Sequence, residues 1–168
     1  MTSTGMTGTP TTGTRMTSTD GAAGQFQLVA IGHARTPWSR GNCPKNMRAA
    51  RERGQAAEVI IDPAWRAGLQ GVERASHLIL LGWFGDVERD VLVQQPGHLA
   101  QPMGCFALRT PARPNPIGVS MVRLVGLDQI GGRLGVDALD WFDGTVVLDI
   151  KPYYPSTDLM PDARVVEP

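Results

Sequence analysis

The sequence predicts a mainly β protein of one domain, with its strands in an antiparallel meander or barrel. β-rich runs fill much of the chain and are separated by Gly and Asp turns, which is typical of successive antiparallel strands. There is no strand–helix–strand alternation and no G-x-G-x-x-G motif, so a Rossmann fold is not expected. A length of 168 residues suits one domain with a sizeable core and is short for two.

The first half of the chain is predicted to contain a tail, two strands and one helix. Residues 1–24 are mostly Thr, Ser, Gly and Ala, and we expect a disordered tail because they offer little apolar surface to bury. QFQLVAIG, residues 25–32, alternates apolar and polar positions and predicts the first strand, while AEVII, 57–61, predicts the second. Between them, GNCPKNMRAARERG, 41–54, indicates an exposed basic loop. Residues 63–75 begin with Pro and favour a short helix, because their apolar side chains recur at helical spacing.

The second half of the chain is predicted to be almost entirely strands and turns. HLILLGWF, residues 77–84, is a continuous apolar run whose Gly and aromatic residues favour a strand over a buried helix. Three further β-rich runs, 118–128, 133–140 and 145–154, are separated by Gly and Asp turns. These runs supply most of the predicted sheet.

The start of the last strand combines a turn with charged residues. Asp143-Gly144 is a strong turn signal, and strand alternation after it predicts that Val147, Asp149 and Lys151 share one face. One interpretation is a simple hairpin turn followed by a surface ion pair, which would contribute at most about 1 kcal/mol. The other is a turn that grips the polar groups of a nucleoside, with a neighbouring aromatic side chain, Trp141 or Phe142, stacking on its base.

Composition and charge exclude several classes of protein. Sixteen basic and sixteen acidic side chains cancel, so any nucleic-acid site would have to be a local patch. No apolar run is long enough to span a membrane and no signal-peptide pattern is present, which predicts a cytoplasmic protein. Cys43 and Cys105 form no C-x-x-C motif, and His33, His77 and His98 lack an i+3 or i+4 His partner, so no metal site is expected.

The segment RTPARPNPIG, residues 109–118, is stiffened by three prolines. Each proline fixes its own φ and pushes the preceding residue out of the helical region, so a rigid loop is expected to present Arg109, Arg113 and Asn115. Gly118 is expected to adopt a backbone conformation that other residues avoid. Such a loop can hold an anion or a nucleotide, and the alternative is a solvated Pro-rich connector.

Several motifs together resemble those of one protein family. GCFALRTPARPNPIGVSMVRL (104–124) and FDGTVVLDIKPY (142–153), preceded in order by PKN (44–46) and SHLILLGWF (76–84), are similar to the motifs of the TsaA-like family. Members of this family are small β-barrel methyltransferases that use S-adenosylmethionine. Their best-known representatives, of the TrmO type, N6-methylate a threonylcarbamoylated adenosine in tRNA. The resemblance spans residues 25–155.

The resemblance implies a single-domain antiparallel β-barrel with one or two short helices, and S-adenosyl-L-methionine as cofactor. The domain would occupy residues 25–155, between the disordered tail and a C-terminal extension, 156–168. Family members usually form homodimers with the donor near the interface, and the same is expected here. The acceptor would be tRNA, although another adenine-like or small-molecule acceptor stays open, because this chain lacks the additional C-terminal domain of the larger bacterial tRNA enzymes. A donor-binding regulatory module without turnover is the alternative function.

The resemblance also assigns site residues position by position. The sequence departs from the family at Asn46, which replaces Gln, at Val146, which replaces Pro, and at Gly85 and Asp86, which replace a His-Gln pair. Because methyl transfer to nitrogen mainly requires positioning, the prolines are expected to hold the donor contact fixed. Asp143 or Asp149 would be the general base if the acceptor must lose a proton. The implied donor-binding residues are Pro44, Lys45, Asn46, Arg109, Val119, Asp143, Gly144, Thr145 and Val146.

Overall fold

The computed structural model describes residues 27–97 and 99–165, so the predicted tail, 1–24, lies outside the described residues. Within these residues, eight strands dominate the fold, with two short α-helices and three 3₁₀ segments, which confirms the mainly β prediction. The strands are β1 (Gly32–Arg35), β2 (Ala57–Ile61), β3 (His77–Trp83), β4 (Val93–Gln94), β5 (Met103–Gly104), β6 (Ile117–Asp128), β7 (Arg133–Val136) and β8 (Val146–Pro152). The helices are α1 (Met47–Glu52) and α2 (Pro155–Asp158).

Six of the strands pair into a closed barrel in the order β1-β2-β7-β6-β3-β8, and every pairing is antiparallel. The most extensive pairing joins β3 to β6, from His77 opposite Arg123 to Trp83 opposite Ile117. Strands β4 and β5 form a separate two-stranded ribbon within the long connection between β3 and β6. This connection therefore lies outside the barrel sheet.

The core lies inside the barrel, because alternate residues of the strands point inward. In β3 every second side chain is buried, and the same alternation places Ser120 and Val122 of β6 inside. Because each fully buried aliphatic side chain contributes about 1.5–3 kcal/mol, this interior is the main source of stability. The inward-facing core includes Ala34, Val59, Ile61, Leu78, Leu80, Val122, Leu134, Val136, Leu139, Trp141 and Val147.

Two of the predicted early elements differ in the structure. Residues 25 and 26 of the strand predicted over 25–32 lie outside the described residues, and of the rest only Gly32 is in β1, because residues 27–30 are exposed and lie outside the sheet. The short helix predicted over 63–75 consists instead of two 3₁₀ segments, Pro63–Leu69 and Val72–Arg74. Gly71 separates these segments with a φ of 87°, a conformation that would end any continuous α-helix.

The basic loop predicted over 41–54 contains an α-helix, α1. Asn46 adopts an extended conformation, and its side-chain oxygen accepts a hydrogen bond from the Ala49 amide at 2.9 Å, which caps the helix N-terminus. Ala50 is fully buried, so the helix packs one side on the barrel. Charged residues made the segment look like a solvated loop, whereas its strong helix formers and its cap favour a helix.

A β-bulge in β8 changes the predicted faces of this strand. The register with β3 shifts between Leu81 and Gly82, which leaves an extra residue, Leu148, in β8. Val147 is therefore buried in the core rather than sharing a face with Asp149 and Lys151, so that part of the prediction is wrong. The predicted ion pair does form, since Lys151 Nζ lies 2.6 Å from Asp149 Oδ2 on the partly exposed outer face.

No helix within the described ranges has the length and apolar character needed to cross a membrane. Helix α2, Pro155–Asp158, spans the predicted boundary between residues 155 and 156. The assignment of residues 156–168 as an extension stays a prediction.

Candidate functional site

A cavity of about 660 Å³ lies at one edge of the barrel. β3 ends there at Trp83, and β8 begins there at Val146, which pairs with Trp83. Segments that are distant in the sequence meet around it: the loop before α1, the residues after β3, the proline-rich segment and the turn before β8. The sequence-predicted site residues among its walls are Pro44, Lys45, Arg109, Asp143, Gly144, Thr145 and Val146, and Gly85 and Asp86, which carry no predicted role, also line it.

Three predicted site residues are not among those that line the cavity. Asn46 caps α1 next to Lys45. Val119 contributes its backbone, because its carbonyl oxygen accepts a hydrogen bond from Arg109 Nη2 at 2.7 Å. Asp149, one of the two candidate bases, lies on the outer face of β8 in the ion pair with Lys151.

Two of the aromatic rings in the cavity wall pack against each other. Trp141 is only 2% exposed, and the Phe84 ring meets it edge to face, with 5.7 Å between centroids. The rings pack on a pair of glycines that face each other across β3 and β6, Gly82 and Gly118. A Cβ atom on Gly82 would lie 2.6 Å from the Trp141 ring.

Gly118 is required for a reason other than the predicted one. Its φ is not in the positive range, and it lies within the regular strand β6. A Cβ atom at this position would instead overlap the Phe84 ring. Close approach of an aromatic side chain, rather than backbone freedom, therefore explains the glycine at the end of the proline-rich motif.

The turn before β8 is held against the end of β1. Asp143 Oδ1 accepts a hydrogen bond from the Thr36 amide at 3.0 Å, and the Asp143 amide donates to the Trp38 carbonyl at 2.8 Å. The next amide, of Gly144, donates to the Ala34 carbonyl at 2.9 Å. Gly144 has a φ of 77°, so the predicted Asp143-Gly144 turn is confirmed. One carboxylate oxygen of Asp143 is thus occupied by the fold itself.

The loop before α1 forms another wall. Trp38 is buried and its indole Nε1 donates to the Leu139 carbonyl at 2.7 Å, while the Arg53 guanidinium lies 5.0 Å above the Trp38 ring. This anchoring leaves Arg40 and Lys45 exposed at the cavity. The loop therefore presents two cations to the opening of the cavity.

The proline-rich segment is held by its own polar side chains. Arg113 is partly buried, and its Nη2 donates to the carbonyl oxygens of Cys105 and Leu108, at 2.6 Å each. Thr110 Oγ1 donates to Gln94 Oε1 at 2.9 Å, which ties the segment to the ribbon strand β4. These bonds flank Arg109 on both sides and fix the backbone from which its side chain reaches Val119.

Asp140 is a carboxylate of the cavity wall that the sequence analysis did not single out. Asp140 is half-buried in the wall, and the Ser120 hydroxyl donates to its Oδ1 at 3.2 Å. Burial raises the pKa of Asp140, and the nearby cations Arg109 and Arg51 oppose this rise only in part. Asp140 is the first residue of the motif DWFDG, residues 140–144, but of the two carboxylates in this motif only Asp143 was assigned a role from the sequence, because Asp143-Gly144 is a turn signal.

A cysteine beside this carboxylate is also perturbed. Cys43 lines the cavity, and its Sγ donates to the Asp140 carbonyl at 3.3 Å. Burial and the negative charge of Asp140 raise the pKa of the Cys43 thiol to about 11, so it stays protonated at neutral pH. Cys43 and Cys105 are both free thiols.

The cavity combines an aromatic wall with cations and carboxylates, which suits a ligand that has a flat ring and charged groups of both signs. Residues 27–97 and 99–165 contain no group of three or more His, Cys, Asp or Glu side chains that could hold a metal ion.

Comparison with known proteins places residues 33–159 in the family model of the tRNA-methyltransferase O N-terminal domain. A relative from Archaeoglobus fulgidus, named "Probable S-adenosyl-L-methionine-binding protein", is 39% identical over 83% of this chain. A second protein of that organism, named S-adenosyl-L-methionine-binding protein, is 34% identical over 78% of this chain and 91% of its own length. The crystal structure of TrmO from Pseudomonas aeruginosa superposes with a TM-score of 0.66 and 34% identity over 83% of this chain.

The matches differ in how much of each relative they cover. The alignment spans 37% of the first Archaeoglobus fulgidus relative and 61% of the TrmO structure. Both of these proteins therefore contain further sequence outside the matched region.

Proposed function

Because this chain belongs to the family of the tRNA-methyltransferase O N-terminal domain, we propose that it is an S-adenosylmethionine-dependent methyltransferase. The observation that supports this most strongly is the convergence of three family motifs on one cavity. Lys45, Arg109 and the turn at Asp143 lie more than thirty residues apart in the sequence, yet all three line its walls. A cavity assembled from such distant segments is typical of a ligand site.

The residues present fit the methyl donor. The cavity volume of about 660 Å³ lies within the usual range for ligands of this size, roughly 300–1,000 Å³. Trp83, Phe84 and Phe142 offer aromatic surface for an adenine ring, and Arg109 and Lys45 offer cations for a carboxylate. Asp143 keeps one carboxylate oxygen for an ammonium or hydroxyl group, since Thr36 occupies only the other.

When bound, S-adenosylmethionine would supply an activated methyl group on sulfur. The protein's contribution is to hold donor and acceptor in line. For ideal orientation this lowers the activation free energy of methyl transfer by up to about 7–11 kcal/mol. The fixed backbone around Arg109 serves this purpose, because fewer side-chain conformations must be ordered on binding. The hydrogen bonds of Arg113 and Thr110 provide that rigidity together with the prolines.

We propose N6 of threonylcarbamoyl-modified adenosine in tRNA as the methyl acceptor. The exposed cations Arg40 and Lys45 at the cavity support a polyanionic substrate, even though the chain has no net charge. The test is incubation with labelled donor and total bacterial tRNA, followed by nucleoside mass spectrometry. Label in methylated threonylcarbamoyladenosine is the expected result, and label only in another nucleoside or in no RNA would contradict this acceptor.

A donor-binding regulatory module without turnover is the second candidate. It is favoured by Gly85 and Asp86, which line the cavity where the family has a His-Gln pair, and by the names of the two Archaeoglobus fulgidus relatives. Calorimetric binding of S-adenosylmethionine without methyl transfer to any RNA fraction would support this alternative. Asp86→Gln then offers a direct comparison, since it restores half of the missing pair.

We also propose that the chain forms a homodimer in the cytoplasm. The ribbon region exposes large apolar side chains, with Leu92, Val93 and Phe106 at 56%, 62% and 82% exposure. Apolar surface of this kind is characteristic of protein–protein contacts. Light scattering is expected to give twice the mass of the 18.1 kDa chain, and Phe106→Ser is expected to shift it toward the monomer.

A further inference from the structure

We propose that Asp140 is the general base that removes the proton from the acceptor nitrogen during methyl transfer. This inference rests on the proposed function and assigns a role that the sequence alone had offered to Asp143 or Asp149. It depends on where these three carboxylates lie and on which of their oxygens are already engaged. Asp149 is on the outer face of β8, paired with Lys151, and does not line the cavity.

The carboxylates that do line the cavity differ in their exposure and in the hydrogen bonds that they already accept. Asp86 and Asp143 are exposed, and Asp143 also accepts a hydrogen bond from the Thr36 amide that holds the turn in place. Asp140 is partly buried in the wall, beside the Trp141 ring. Water stabilises the ionised form of a partly buried carboxylate less than that of an exposed one. The partly buried carboxylate therefore accepts the substrate proton more readily.

A buried hydrogen-bond chain fixes the orientation of the Asp140 carboxylate. The Trp141 indole can only donate, and its Nε1 donates to Ser120 Oγ at 3.0 Å. The single hydroxyl hydrogen of Ser120 is therefore directed to Asp140 Oδ1, at 3.2 Å. Because Ser120 is only 3% exposed, this chain is shielded from water and holds Oδ1 in place. Oδ2 has no part in the chain and is the oxygen proposed to accept the proton.

Strand β6 brings this carboxylate next to the proposed donor contact. Arg109 binds the carbonyl of Val119, while Asp140 binds the side chain of the following residue, Ser120. The charged or titratable groups around Asp140 are Arg109 from the proline-rich segment, Arg51 from α1 and Cys43 from the loop before it. The cations favour the ionised carboxylate, whereas burial, which is the largest influence, raises its pKa and makes it a stronger base.

The step balances in atoms and charge. The acceptor N–H bond breaks and its proton goes to Asp140 Oδ2, while the nitrogen lone pair forms the new N–CH₃ bond and the bond between the methyl carbon and sulfur breaks. The sulfonium becomes a neutral thioether, and the carboxylate becomes a carboxylic acid that later releases its proton to water. No oxidant, reductant or metal is needed.

The test uses the full chain with S-adenosylmethionine and total bacterial tRNA, and compares Asp140→Asn with the parent. We expect donor affinity by calorimetry within about threefold of the parent and a single-turnover transfer rate lower by about 10²–10⁴-fold, the usual contribution of general base catalysis. The matched control is Asp128→Asn at the end of β6, where an amide oxygen can still accept the Gly131 N–H bond. Its transfer rate is expected to equal that of the parent.

The pH profile distinguishes a base from a merely structural carboxylate. The parent rate should fall as the pH drops through the Asp140 pKa, and this acidic limb should be absent from Asp140→Asn. Ser120→Ala removes a hydrogen bond that stabilises the ionised carboxylate, so it should raise the Asp140 pKa and move the limb to higher pH. If Asp140→Asn does not fold, the limb of the parent and its shift in Ser120→Ala decide the question, and an absent or unshifted limb overturns the proposal.

The remaining outcomes separate this inference from the proposed function. A parent that transfers methyl groups, with Asp140→Asn within threefold of it, overturns the base assignment and leaves the methyltransferase proposal intact. A parallel loss of donor affinity and rate in Asp140→Asn also overturns it, because Asp140 would then be a donor-binding group. A parent that binds the donor but methylates no RNA contradicts the tRNA acceptor and, with it, the assignment of Asp140 as the base for that acceptor nitrogen.

Discussion

Two walls of the cavity are built in different ways. One side, which we call the turn wall, comprises residues 139–146 and is integrated into the barrel, with Trp141 only 2% exposed. The other side is contributed by the excursion, residues 85–113, which leaves the barrel between β3 and β6 and carries Phe106 at 82% exposure. Burial positions the first wall, whereas prolines and side-chain-to-backbone hydrogen bonds position the second.

This difference has a consequence for how each wall responds to mutation. Changes in the buried residues of the turn wall, or in residues packed beneath it, should alter global stability, because those residues are part of the core. Changes in the excursion should alter ligand affinity while the barrel stays folded, because few of its side chains contribute to the core. Variants of the two walls therefore distinguish effects on stability from effects on ligand affinity, and the largest effect is expected for Trp141.

Trp141→Ala is expected to destabilise the fold by about 3–5 kcal/mol, the usual cost of truncating a buried aromatic side chain. The loss combines the cavity left against Phe84 with the buried hydrogen bond that Ser120 Oγ no longer accepts from the indole. Urea unfolding followed by circular dichroism measures it. A change below about 1 kcal/mol would mean that the turn wall is no more integrated into the core than the excursion.

Gly118→Ala is expected to cost about 1–3 kcal/mol, because the added methyl group overlaps the Phe84 ring and must displace it. The matched control is Gly126→Ala in the same strand, where an added Cβ atom meets nothing within 4 Å. The two variants are compared by thermal melting. Equal melting temperatures would show that Phe84 moves freely and does not define the cavity wall.

Arg109→Ala is expected to weaken binding of S-adenosylmethionine by about 1–3 kcal/mol, the range for loss of a charge-assisted hydrogen bond. The melting temperature should stay near that of the parent, since the Arg109 side chain is exposed and bonded only to the Val119 carbonyl. Calorimetric titration measures the affinity, with Arg74→Ala, an exposed arginine away from the cavity walls, as control. Unchanged affinity would remove Arg109 from the proposed donor site.

Asp143→Asn is expected to lower donor affinity or turnover about tenfold, which corresponds to about 1.4 kcal/mol, and to leave stability unchanged. An Asn side-chain oxygen can still accept the Thr36 amide bond, so the turn is retained while the negative charge is lost. Titration and a single-turnover assay measure the effect. Affinity within twofold of the parent and normal transfer would assign Asp143 a purely structural role.

Much of this protein follows from its sequence alone. The strands over 57–61 and 77–83 and the turn at Asp143-Gly144 match the structure, because apolar periodicity and turn chemistry are local properties of the chain. The motifs around Lys45, Arg109 and Asp143 likewise identified segments that do line one cavity. Helix α1 was missed although its signal is also local, since Asn46 followed by strong helix formers is a helix start.

Other features were decided only by the tertiary structure. The bulge at Leu148 moved Val147 into the core and left Asp149 outside the cavity, and no local pattern distinguishes a regular strand from one that must match a particular neighbour. Position 118 requires glycine because the Phe84 ring packs on it. The Asp140 carboxylate is held in the cavity wall by the hydrogen bond that it accepts from Ser120. Each of these contacts joins residues that are 20 or more positions apart, and their free energies depend on burial that exists only once the barrel has closed.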